Sequence, residues 1–234
     1  MRTTTTFALI LATSLAACGG DDGTVSAIDA RRIDGSGGPD AAGACDIPAG
    51  LSLGEGTGID FERSDGTMPA GQYTLSTGIT LGMDMPPTVM FLEFYNDYAP
   101  FGNSTTPGAI APGTYTINAA QADYATCGAC LRIYTKVEQV GMMLNVSQKY
   151  MPNGGTITIN SITPTVGGAI DVTLSNLTMR QVDIAAAPSF ATTDVPGGCT
   201  STVADAHFTG MVVAPMKQRG NAVTYMLVPS ERKH

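Results

Sequence analysis

Two kinds of residue in this 234-residue chain have types and spacings that could do chemistry: its five cysteines and a few clusters of acids with histidine or aromatic neighbours. Cys127-Gly128-Ala129-Cys130 has the spacing of a redox dithiol. That chemistry needs a lowered thiol pKa, which a helix start beside a βαβ unit supplies. Here the motif runs into an alternating apolar stretch that reads as a strand. One such pair is also only half a zinc site, and the chain offers just His207 and His234 to complete it. Asp205-Ala206-His207 places an acid and an imidazole on one face of a strand, which could orient the ring. The plainer reading is two polar side chains facing solvent. Asp84, Glu93 and Asp97 are the nearest grouping of carboxylates for glycoside hydrolysis, but nothing in their spacing selects them. The nucleophile elbow, the HExxH helix, the P-loop and the dinucleotide fingerprint are all absent from the sequence. No catalytic residue, no metal ligand and no cofactor is expected.

A second grouping concerns binding. Phe91, Phe94, Tyr95, Tyr98 and Phe101 fall within eleven residues and make up a third of the fifteen aromatics. They are interleaved with Glu93, Asn96, Asp97 and Asn103. Flat rings beside amides and carboxylates suit sugar or peptide recognition, so Tyr95, Asn96, Asp97, Tyr98, Phe101 and Asn103 are the candidate ligand-binding residues. The competing reading packs Phe91 into a core and uses Tyr95 and Phe101 to close a loop edge.

The start of the chain reads as an export signal. Met1-Arg2 is a short basic head, Phe7 to Leu15 is largely apolar, and small residues precede Cys18. Leu15-Ala16-Ala17-Cys18 resembles the lipobox of bacterial lipoproteins. The resemblance implies cleavage before Cys18, diacylglycerol on its sulfur and acylation of its amine. Each buried methylene contributes about 0.8 kcal/mol, so two or three acyl chains hold where one would not. Gly19 stands where that family's inner-membrane retention signal is Asp, which implies delivery to the outer membrane.

Residues 19–44 are rich in Gly and Asp and contain no aromatic residue. Such a segment cannot bury enough apolar area to offset its ordering entropy, so it reads as a flexible tether with a reach of about 28 Å. The predicted division is therefore 1–17 signal peptide, 18–44 lipidated cysteine and tether, and 45–234 folded domain. The formal charge of −8 becomes −9 when Arg2 is lost, leaving 11 basic against 20 acidic residues. That excludes nucleic acid as a partner, since phosphate neutralisation needs a basic surface. It also makes covalent lipid, and not a basic patch, the means of holding a membrane.

From Cys45 onward, short alternating or apolar runs are separated by Gly, Pro and Asn. Strands are predicted at 72–80, 88–95, 114–118, 130–138, 142–150, 156–162, 169–179, 206–214 and 222–228. Val89-Met90-Phe91-Leu92 is apolar on both faces, as in a central strand. Met151-Pro152-Asn153-Gly154-Gly155 reads as a hairpin loop. The apolar phase slips within 169–179, which predicts a β-bulge near Ser175-Asn176. Many short strands with turn signals predict an all-β domain, a single antiparallel β-sandwich of jelly-roll type.

Setting Cys18 aside leaves four cysteines and three connectivities. A turn at Gly128-Ala129 would let Cys127 reach Cys130, which leaves Cys45 to pair with Cys199; this is the expected pairing. Tyr124-Ala125-Thr126-Cys127-x-x-Cys130 entering a strand, then Gly155-Thr156-Ile157, then Val195-Pro196-Gly197-Gly198-Cys199, resembles a group of predicted myxobacterial lipoproteins with Asp/Gly-rich tethers. The resemblance covers roughly residues 110 to 200. It implies export and the same cysteine framework, and it carries no catalytic residue. The expectation is a lipid-anchored envelope protein with a non-enzymatic structural or binding domain, meeting the membrane through Cys18 and a glycan or an envelope protein through its surface. A carbohydrate-binding module using 91–103 is the alternative, and a carboxylate-based hydrolase is the third reading.

Overall fold

The computed structural model describes residues 45–65, 70–82, 85–140 and 143–215. The signal, Cys18, the tether and the strand predicted at 222–228 lie outside them. Thirteen strands and no helix occur among the described residues. In chain order these are β1 (Gly50–Leu51), β2 (Glu55–Ser64), β3 (Thr74–Leu81), β4 (Thr88–Tyr95), β5 (Gly113–Thr116), β6 (Ala129–Tyr134) and β7 (Glu138–Val140). They continue with β8 (Met143–Asn145), β9 (Lys149–Ile162), β10 (Ala169–Ile184), β11 (Thr192–Asp194), β12 (Thr200–Val203) and β13 (Ala206–Val213).

The domain is all-β, as predicted, but it is not two antiparallel sheets packed as a sandwich. Seven strands follow one another in the order β10-β13-β2-β3-β4-β6-β9, and β9 pairs back onto β10, so the sheet closes into a barrel. The pairing is also mixed, because β13 runs parallel to β2 and β1 parallel to β12. The physical reason lies in β9 and β10. They are 14 and 16 residues long, and a 16-residue strand spans about 50 Å, far more than one layer of a small sandwich needs. Each therefore serves several partners along its length. β9 pairs with β6 at Lys149–Tyr150 and with β5 at 156–159. β10 pairs with β13 at 169–174, with β12 at 177–180 and with β11 at 182–184.

The changeover coincides with the bulge predicted near Ser175-Asn176. Ser175 pairs with Thr156 and Thr178 with Gly154, so Asn176 and Leu177 face the single residue Gly155. Asn176 takes φ +53° and Gly155 φ +100°. A Cβ on Gly155 would lie 2.6 Å from the Asn176 carbonyl oxygen, so only glycine fits. This corrects the hairpin predicted at 151–155. Pro152, Asn153, Gly154 and Gly155 sit inside β9 and use their unusual backbone for a bend opposite the bulge. The hairpin itself turns between Ile162 and Ala169, where Gly168 N donates to the Thr165 carbonyl at 2.8 Å.

The barrel interior holds Phe61, Leu75, Met90, Leu92, Phe94, Leu131, Ile133, Tyr150, Ile157, Val172, Leu174 and Phe208, all at most 1% exposed. Strand β4 is buried on both faces, as its unbroken apolar run predicts. Its second face is covered by loops.

Candidate functional site

Met90, Leu92 and Phe94 point into the barrel, so Phe91, Glu93 and Tyr95 point out. β6 matches this, with Ala129, Leu131 and Ile133 inside and Cys130, Arg132 and Tyr134 outside. Register puts Cys130 opposite Glu93 and Arg132 opposite Phe91. The chain between β5 and β6, and that between β10 and β11, fold over this outer face. They bring Tyr124 and Phe190 onto Tyr95, Met151 and Val182 as a second apolar cluster.

A charged pair lies in that cover. Arg132 Nη2 donates to Glu93 Oε1 at 2.9 Å, and the two side chains are 3% and 1% exposed. Arg132 Nη1 donates to Tyr134 Oη at 2.7 Å, and the guanidinium carbon stands 4.1 Å above the Tyr124 ring. Burial alone would lower the Arg132 pKa. Glu93 and then the phenols of Tyr134, Tyr124 and Tyr95 raise it well above its ordinary value, so the guanidinium is a permanent cation. Its two Nη groups are directed at Tyr134 and Glu93, and its faces at aromatic rings.

The predicted binding segment takes its place in this architecture. Tyr95 is fully buried, Asn96 and Asp97 are 1% exposed and Phe101 is 9% exposed. Tyr98 is half-buried, with its ring edge-on to Tyr95 at 6.0 Å. Phe101 meets Phe94 and Tyr115 edge-on at 6.2 and 4.9 Å, so these rings form no flat exposed platform. Asn96 links three stretches of chain: its Oδ1 accepts from Tyr73 N at 2.8 Å, and its Nδ2 donates to the Gly71 and Gly108 carbonyls at 2.8 and 3.0 Å. Asn103 is exposed, and its Oδ1 accepts from Thr105 N, Thr105 Oγ1 and Thr106 N at 3.1, 2.7 and 2.9 Å, which closes an Asx turn. Of the six residues, Tyr95, Asn96, Asp97 and Phe101 are thus buried, Asn103 shapes an exposed loop tip, and Tyr98 is half-buried.

Both expected disulfides form. Cys45 bonds Cys199 across 154 residues with Cα atoms 5.6 Å apart. Cys127 bonds Cys130 with Cα atoms 5.4 Å apart, and both cysteines are fully buried beneath Tyr124 and Tyr95. A thiolate attacking this bond would first have to displace that cover.

His207 does not use the acid two residues before it. Asp205 Oδ1 accepts from Asn176 N at 3.0 Å, supporting the bulge. The imidazole instead bridges three strands on the outside of the barrel: Nε2 is 2.8 Å from Asp171 Oδ1 on β10, and Nδ1 is 3.5 Å from Glu55 Oε2 on β2. Asn160 Nδ2 on β9 donates to the same Asp171 oxygen at 2.7 Å. The hydrogen bond and charge of Asp171, followed by those of Glu55, raise the His207 pKa; the bond from Asn160, followed by that from His207, lowers that of Asp171. A carboxylate thus stands near each ring nitrogen, Asp171 within hydrogen-bond distance and Glu55 farther off. A general base needs one nitrogen free to take a proton. Asp171, Glu55 and Asn160 were missed in the sequence because their approach depends on the β2–β13–β10–β9 order and not on spacing along the chain.

Among the described residues no three His, Cys, Asp or Glu side chains are arranged to hold a metal ion. A shallow depression of about 260 Å³ is lined by Asp46, Met85, Pro86, Thr88 and Lys136, and its charges are joined by the Lys136 Nζ–Asp46 Oδ1 pair at 2.6 Å. No protein-family model, no curated protein and no solved structure matches this chain.

Proposed function

We propose that the chain is an exported, lipid-anchored protein of the bacterial cell envelope, delivered to the outer membrane, whose β-barrel is a non-enzymatic structural or binding module. The observation that carries this reading is the Cys45–Cys199 disulfide. It fastens Cys45, the first described residue of the domain, to Cys199 just before β12, at the point where the Gly/Asp-rich segment after Cys18 joins it. A domain relying on two disulfides belongs in an oxidising compartment, which agrees with an export signal at residues 1–17. A clamp at that junction makes sense if the domain hangs from it. The resemblance to predicted myxobacterial lipoproteins points the same way. The module reading draws support from how the charged groups are used: Arg132 and Glu93 neutralise each other under aromatic cover, and His207 is held between carboxylates.

The test is palmitate labelling of the full chain expressed in a Gram-negative host. The wild type should take label and enter the membrane fraction, while Cys18→Ser should do neither. Equal labelling of the two proteins would end the proposal.

A further inference from the structure

The barrel wall parts in two places, and only one opening is filled by described residues. Between β6 and β9 just two residue pairs hold the ring, Ile133 with Tyr150 and Tyr134 with Lys149. Beyond them β5 lies along β9, and buried Phe101, Ile110 and Ile117 join the interior cluster. Gln121 Oε1 accepts from Gly128 N and Ala129 N at 3.2 and 3.0 Å, so it caps the start of β6. Between β2 and β3 three pairs hold the ring: Glu62 with Ser76, Arg63 with Leu75 and Ser64 with Thr74. From there the strands diverge. Residues 55–61 of β2 keep β13 on their far side, and residues 77–81 of β3 keep β4 on theirs. Among the described residues no strand lies between the two facing edges.

The two edges are chemically matched to one kind of occupant. Unpaired backbone edges invite another extended chain, which can bond to each of them in turn. Because β2 and β3 are antiparallel, an inserted strand runs parallel to one and antiparallel to the other. On its inner side it would meet Ile59, Ile79 and Leu81, which are only half-buried although they pack against the barrel core. On its outer side it would meet Asp60, which is exposed, with Gly78 and Thr80 of β3 adding no charge. The one base on this stretch of β2, Arg63, is already committed: it pairs with Asp65 at 3.1 Å and lies 4.1 Å over the Tyr73 ring. A side chain alternates between these two sides at every residue of a strand.

We infer that the slot between residues 55–61 and 77–81 binds an extended segment of a partner polypeptide that is apolar at alternate positions and carries Lys or Arg at the positions between. This deepens the binding-module reading given above by naming a partner class. It does not depend on lipid at Cys18, so the labelling experiment and the one below can fail separately.

The probes are three blocked nonapeptides, added to the full chain. One alternates Val with Lys, one alternates Val with Glu, and one repeats the Val/Lys sequence with its central amides N-methylated. Binding is read by fluorescence anisotropy, and its place by amide hydrogen exchange. The Val/Lys peptide should bind at least tenfold tighter than either other peptide and should slow exchange within 55–61 and 77–81. Asp60→Lys should abolish or reverse the preference for Lys over Glu. Thr80→Lys on the facing strand gives the same readout if Asp60→Lys does not fold. Absence of binding, indifference to N-methylation, or protection only elsewhere on the barrel would each overturn the inference. So would full protection of both edges before any peptide is added, since the slot would then be filled by the chain itself.

Discussion

Arg132 and Glu93 face each other from β6 and β4 at 2.9 Å, with both side chains at least 97% buried on the outer side of a barrel wall. The pair is closed over by the Tyr124 ring, which the chain leading into β6 delivers. Removing two charges from water costs more than most pairs return, but removing one partner alone strands the other. Glu93→Gln should therefore destabilise the domain by about 3–5 kcal/mol. Joint replacement by Glu93→Leu and Arg132→Met should recover much of that loss. Urea unfolding of the single and double variants measures both. A double variant no more stable than Glu93→Gln would show that the pair is worth more than apolar packing.

The two disulfides should differ in worth. On the chain-entropy relation a sequence separation of 154 corresponds to about 5 kcal/mol and one of 3 to about 2 kcal/mol. Cys45→Ser with Cys199→Ser should thus lower the unfolding free energy more than Cys127→Ser with Cys130→Ser. Denaturant titration without reductant tests the order. The reverse order would mean that the short disulfide chiefly holds Tyr124 over Arg132.

The pH response of His207 follows from its two carboxylates. Its pKa is raised above 6.5, so the pairing contributes fully below that value and fades as pH climbs through the raised one. Asp171 is lowered from 3.8, so its contribution is present above that value and is lost as pH falls through the lowered one. The pairing is complete between about pH 4 and 6.5, bounded by the two unfolded-state values. An NMR titration of the imidazole should show a midpoint above 6.5, and Asp171→Asn should move it down. An unchanged midpoint in that variant would assign the shift to Glu55.

The bend at the middle of β9 should tolerate change unequally. Gly155→Ala places a methyl 2.6 Å from the Asn176 carbonyl oxygen at a φ of +100°, and should cost about 1–3 kcal/mol. Asn176→Gly keeps the backbone bond to Asp205 and suits the left-handed conformation, so it should stay within about 1 kcal/mol of wild type. Thermal unfolding of the two variants makes the comparison.

Much of the strand content was legible in the sequence because alternation is local. The runs at 88–95 and 206–214 became β4 and β13 within one residue. Strand β2 was not legible: Glu55-Gly56-Thr57-Gly58 has poor strand propensity and is held extended by parallel pairing with β13, some 150 residues later. The turn-like run 151–155 misled for a related reason. Glycine and proline signal that a backbone must bend, and here the bend lies within a strand that changes partners. The aromatic segment 91–103 was a genuine concentration of rings, but periodicity cannot say whether a strand's second face meets water or a loop.

What the sequence by itself determined about this protein is local: all-β character, the bulge at Ser175-Asn176, the absence of familiar catalytic motifs, and a cysteine spacing that allowed the two disulfides. These follow from side-chain alternation, backbone permissiveness and the reach of a thiol. Only the tertiary structure decided that the sheet closes into a barrel, that Arg132 finds Glu93 under Tyr124, that His207 turns from Asp205 to Asp171, and that β2 and β3 share only three residue pairs. Each of those depends on which strand lies beside which. Strand order is settled by closing the whole core at once, a condition that no stretch of the chain carries alone.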